Sequence, residues 1–73
     1  MTRLEFERRR RGWNQVSVAY RARLGQGDIS MIERRRLIPT PRVVERLARA
    51  IGVQPAELLD EVTVTGEPAG ASV

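Results

Sequence analysis

Signals that start or stop a helix recur so closely along this chain that no helix in it can be long. Thr2-Arg3-Leu4-Glu5 has the form of a capping box, a threonine and a glutamate three residues apart that satisfy free amides at a helix start. Asn14 is a second cap residue, ahead of Gln15, and Leu24-Gly25 ends one segment and opens another. Thr40-Pro41 joins a cap to a proline at the first helical position, where no backbone N–H is needed. Gly52 closes that segment, and Pro55 starts the next. Between these marks the apolar residues have helical spacing: Val18, Ala19 and Ala22, then Ile29 and Ile32, then Val43, Val44, Leu47, Ala50 and Ile51. The pattern predicts an all-α domain of five short helices. They start at residue 3, Gln15, Gln26, Pro41 and Pro55, the first ending near Gly12, the third near Arg34, and the last carrying Ala56, Leu58 and Leu59. The domain is expected over residues 1–61. Val62 and Val64 alternate with threonines, so residues 62–65 read as extended, either packing one valine or pairing with a second subunit as an edge strand. Residues 66–73, GEPAGASV, have the composition of a flexible tail.

At 73 residues the chain is near the lower limit for folding without staples. It has no cysteine and no histidine, which excludes disulfides, thiol and imidazole chemistry and the usual zinc sites. With three aromatics, its core must be aliphatic, and dimerisation would help it. No stretch approaches the roughly 18 apolar residues of a membrane span, and no signal peptide is visible, so a soluble, cytoplasmic protein is expected. Catalysis is not expected. Glu57, Asp60 and Glu61 have helical spacing without a convergent partner, and LGQGD lacks the spacing and lysine of a phosphate loop. No cofactor, metal or small-molecule ligand is evident.

Charge is distributed unevenly. All thirteen basic residues are arginine, whose planar fork suits phosphate oxygens and guanine edges. Residues 1–52 hold all thirteen against five acids, a balance of +8, whereas residues 53–73 hold four acids and no arginine, a balance of −4. That polarity fits a basic binding face for an anionic partner and an acidic end that stays away from it. Residues 15–34 add a specific pattern, two short helices joined by a tight turn. Ala19 is a small contact residue, and Val18, Ala22, Leu24, Ile29 and Ile32 fall at burying offsets, so that Gln26, Gly27, Ser30 and Met31 lie outward.

Three pieces, RRRRGWNQVSVAYRA, DISMIERRRLIPTP and VVERLARAIGVQPAELL, resemble in order and spacing the phage-repressor and Cro-like helix-turn-helix family, also called the XRE family, across residues 3 to about 60. The resemblance implies a five-helix domain that binds double-stranded DNA, usually as a homodimer on a palindromic operator, and controls transcription. By the same resemblance Gln26, Gly27, Ser30 and Met31 are base-reading positions of a recognition helix at about 26–34. Asn14, Gln15, Arg34, Arg35, Arg36 and Arg42 fall at phosphate-binding positions. Arg8 and Glu33 match an arginine and a glutamate that pair in many members. The leading expectation is a repressor, phage-encoded or chromosomal, located in the cytoplasm or at the nucleoid. Two others are an antitoxin-like protein with a toxin partner and an interaction module that has abandoned DNA. The chain departs from the pattern at Arg23, where the family has glycine in the turn, at Ala22 for the usual leucine, and at Glu7 in a frequently apolar position. Gly27 offers no reading side chain, and Met31 offers only apolar contact. A dimer surface is expected at Leu58, Leu59 and Val62.

Overall fold

The computed structural model describes residues 1–64, so the tail at 66–73 and the last residue of the extended segment lie outside the described residues. Four α-helices follow one another: α1 Arg3–Arg10, α2 Gln15–Ala22, α3 Gln26–Glu33 and α4 Pro41–Ile51. The caps start them. The Thr2 hydroxyl accepts from the Glu5 N–H at 3.0 Å, the Asn14 side-chain oxygen from Ser17 at 2.8 Å, and the Thr40 hydroxyl from Val43 at 3.3 Å. Of these four, α3 alone starts without a side-chain cap. Its N-cap is Gly25, and the Asp28 carboxylate lies back over that glycine, beside the positive end of the helix dipole.

All four helices end in the same way. An N–H bonds back five residues, from Trp13 to Arg8, Leu24 to Ala19, Arg36 to Met31 and Val53 to Ala48, around a residue of left-handed backbone. This is the Schellman closure, which satisfies the last carbonyls of a helix and favours glycine at its left-handed position. Gly12 (φ 72°) and Gly52 (φ 85°) fill it after α1 and α4, but Arg23 (φ 61°) and Arg35 (φ 60°) fill it after α2 and α3.

α2 packs on α3 and α4, and α4 on α1. Their common core holds Leu4, Val18, Ala19, Ala22, Ile29, Ile32, Leu47, Ile51 and Leu58, with Trp13, Leu24, Val43 and Val44 partly buried against it. Each fully buried Leu or Ile contributes about 1.5–3 kcal/mol relative to exposure. Ala22, smaller than a leucine would be, is itself buried there. On α1 the inward positions are Leu4, Glu7 and Arg8, so a carboxylate occupies the site expected to be apolar. Its presence is explained by three arginines. Glu7 accepts from Arg3 at 2.8 Å, Arg10 at 2.7 Å and Arg11 at 2.6 Å, each one turn away along or beyond its own helix.

The fifth helix is corrected. Pro55–Glu57 forms a single 3-10 turn, so the described residues contain four α-helices rather than five. Gly52 has already turned the backbone, and every bond from Glu57 to Asp60 reaches back three residues, to Gln54, Pro55 and Glu57. The turn nevertheless delivers Leu58 to the core, fully buried, which removes it from the expected dimer surface. The extended segment pairs with its own chain. Thr2 and Glu61 form an antiparallel bridge, and the Val62 N–H donates to the Met1 carbonyl at 2.8 Å. Among the described residues there is no strand, and no helix is long and apolar enough to cross a membrane.

Candidate nucleic-acid interface

α3 buries Ile29, Ile32 and Glu33 and leaves the opposite arc open. At 100° per residue that arc carries Gly27, Met31 and Arg34 in line, with Gln26 and Ser30 along one margin. Gln26, Gly27, Met31 and Arg34 are exposed, and Ser30 is half-buried. Nothing lies within 4 Å of where a Gly27 Cβ would stand, so this glycine faces open space and no neighbouring element forces its choice.

A hydrogen-bonded relay runs from the interior to the start of α3. Glu33 is clamped by Arg8, which donates from Nε to Oε2 at 2.6 Å and from its second terminal nitrogen to Oε1 at 3.0 Å. Both residues are 8 % exposed, so the pair is a two-bond fork in a poorly solvated place. A third Arg8 N–H binds the Trp13 carbonyl at 3.0 Å, tying the pair to the loop ahead of α2. The Glu33 carboxylate raises the Arg8 pKa above its ordinary value, against the opposing effect of burial. Gln15 then donates from Nε2 to Glu33 Oε1 at 3.1 Å, and Gln26 donates from Nε2 to Gln15 Oε1 at 3.1 Å. Because Glu33 can only accept, it fixes which end of the Gln15 amide turns inward. Gln15 in turn fixes Gln26, leaving the Gln26 Oε1 and one amide hydrogen unused.

Among the described residues six arginines have acidic partners: Arg8 with Glu33, Arg9 with Glu5, Arg35 with Glu61, and Arg3, Arg10 and Arg11 with Glu7. Hydrogen bonds from Arg11, then Arg10, then Arg3 hold the Glu7 carboxyl at about 2, against an ordinary 4.5, although burial works the other way. The five arginines of residues 3–11 thus share three carboxylates, so the basic run of α1 is partly neutralised within the chain. Arg35, expected to bind phosphate, instead donates to the Leu59 carbonyl at 3.0 Å and to Glu61 at 2.7 Å. Its guanidinium ties the loop after α3 to the segment after α4. Arg34, Arg36 and Arg42 are exposed and have no acidic partner among the described residues. They flank the end of α3 and the start of α4. Asn14 spends its side-chain oxygen on the α2 cap and keeps its amide hydrogens. The structure thus brings Gln15, Gln26, Glu33 and Arg8 into one network and sets Arg35 apart. Sequence reasoning missed the collar of arginines on Glu7, although the one-turn spacing of Arg3, Arg10 and Arg11 around it was a usable signal.

No curated protein and no solved structure matches the chain significantly. A family model described as "Helix-turn-helix domain" matches residues 2–62. That match spans α1 to α4 and the turn after them, including the two short helices that carry the Gln15–Gln26 contact. The chain belongs to the helix-turn-helix domain family.

Proposed function

We propose that the protein is a non-catalytic, sequence-specific binder of double-stranded DNA that regulates transcription, most simply as a repressor that occupies promoter DNA as a homodimer on a palindromic site. The observation that carries this reading is the relay ending at Gln26. An amide at the exposed start of α3 is held by Gln15 with one acceptor and one donor free, the pair that matches N6–H and N7 of adenine in the major groove. Around this amide Arg34, Arg36 and Arg42 have the charge and exposure for phosphate oxygens, which give salt-dependent affinity without sequence information. Gly27 permits close backbone approach to the groove, and Met31 has the surface for a thymine methyl. With so few polar readers on α3, the shape and deformability of the site are expected to share in its recognition.

The test is titration of a labelled random-sequence duplex with the protein over a series of salt concentrations. Binding that weakens linearly in log–log form supports a phosphate-contacting surface. Absence of any salt-dependent binding rejects the DNA reading and favours a protein-interaction module on the same fold.

A further inference from the structure

Four of the arginines without acidic partners do not belong to the α3 surface. Arg21, Arg23, Arg46 and Arg49 line a half-open cleft of about 330 Å³ between the end of α2 and α4, floored by Ala22 and Ala50. No residue of α3 lines it. None of the four makes an ion pair with an acid among the described residues. Even Glu45, one turn before Arg49, makes none. Arg21 is preset, its guanidinium lying 4.1 Å from the centre of the Trp13 ring.

Helix dipoles explain part of this, since Arg21 and Arg49 occupy the last turns of α2 and α4, where cations are favoured. They do not explain Arg46, in the middle of α4, or the conformation of Arg23. Arg23 holds the left-handed closing position of α2, which glycine would fill without strain. Arg35 in the same position is compensated by two hydrogen bonds, but the Arg23 side chain makes none among the described residues. Strain without a compensating side-chain bond among the described residues is a feature of ligand-binding positions.

We propose that this cleft binds a chain of two or three phosphates, either inorganic or carried on a nucleoside. Such a chain bears about three to four negative charges near neutral pH, which match four guanidiniums, and each guanidinium can bind phosphate oxygens through two parallel N–H groups. The cleft is at the small end of ligand-site volumes. Arg23 also borders a second hollow with Arg21 and the 84 % exposed Tyr20, which gives a nucleoside an aromatic face beside the phosphates.

The experiment is calorimetric titration of the full chain with inorganic tripolyphosphate and, separately, with a nucleoside triphosphate, both without metal. It is run on the natural protein, on Arg23→Gly, on Arg46→Gln/Arg49→Gln, and on Arg34→Gln/Arg36→Gln as a control. The expected result is saturable binding of one anion per chain, weakened at least about tenfold in each cleft variant and little changed in the control. Tighter binding of the nucleoside triphosphate than of tripolyphosphate identifies a nucleotide, and equal binding identifies the bare phosphate chain. Arg23→Gly separates binding from folding, because it is expected to raise the unfolding temperature while losing the anion. Unsaturable binding, or equal weakening in the control, would overturn the proposal. So would cleft variants that lose affinity for duplex DNA and not for tripolyphosphate, which would assign the cleft to the DNA surface. The DNA reading stands or fails separately, in the salt series of the natural protein.

Discussion

Gln26 owes its usefulness to what stands behind it. A freely rotating amide would lose side-chain entropy on meeting a base; on the proposed DNA reading, the bond to Gln15 would present Gln26 already oriented. Gln26→Ala is therefore expected to relax discrimination at one base pair of each half-site by about 1–3 kcal/mol, measured by competition between duplexes that differ at single positions. Equal loss on every sequence would remove Gln26 from base reading. Glu33→Ala acts differently, because it strands Arg8 as a buried cation. It is expected to lower folding stability by about 3–5 kcal/mol in urea denaturation. Gln26 was legible as an outward polar residue from helical spacing, but Gln15 entered through family resemblance, and spacing says nothing about which residue on α1 meets Glu33. That link came through family resemblance, since Arg8 is one of four consecutive arginines with no local mark to single it out. Arg35 shows the converse. It looked like its neighbours Arg34 and Arg36, and only its left-handed backbone turns it toward Leu59 and Glu61.

Helix starts were readable because a cap is a local device, made within four residues of sequence. Helix ends were readable where glycine marks them, at Gly12 and Gly52, and harder where arginine does the same task. Arg23→Gly tests the cost of that substitution: relief of the left-handed strain, less the entropy of glycine, is expected to stabilise the protein by about 0.5–1 kcal/mol in thermal or urea unfolding. No gain would mean that the Arg23 side chain stabilises the end of α2 by a comparable amount. The fifth helix failed as an expectation because Pro55, Ala56, Leu58 and Leu59 fit one turn as well as three, and nothing in their order requires bonds four residues back. On α1, Glu7 replaces apolar contact by four charged hydrogen bonds from three arginines and makes the helix sensitive to acid. Its folded pKa of about 2 lies below the ordinary 4.5, so its contribution is complete above about pH 4.5 and is lost as the pH falls toward 2. Glu7→Gln is expected to cost about 1–3 kcal/mol at neutral pH, a deficit that shrinks on acidification through that window. A deficit constant from pH 7 to 2 would show that Glu7 acts through packing alone.

Across the whole molecule, a net charge of +4 understates the available field. The cations of α1 are partly offset by Glu5, Glu7 and Glu33, while the arginines without acidic partners among the described residues divide between the α3 side and the α2–α4 cleft. Counting charges along the sequence located the basic part of the chain but not this division, which depends on which acids fold against which arginines. Replacing Arg34, Arg36 and Arg42 by glutamine is expected to reduce the slope of log affinity against log salt by about 0.9 for each phosphate no longer neutralised, and to weaken operator and random duplex alike. Arg35→Gln, whose side chain is held within the fold, should leave that slope little changed. The central claim is that α3 reads a DNA sequence, and recovery of bound sites from a random duplex pool tests it most directly. Enrichment of two related half-sites about one helical turn apart is predicted, as a symmetric dimer requires, together with loss of the preference at one position per half-site with Gln26→Ala. A recovered pool as random as the starting one, despite measurable binding, would contradict it.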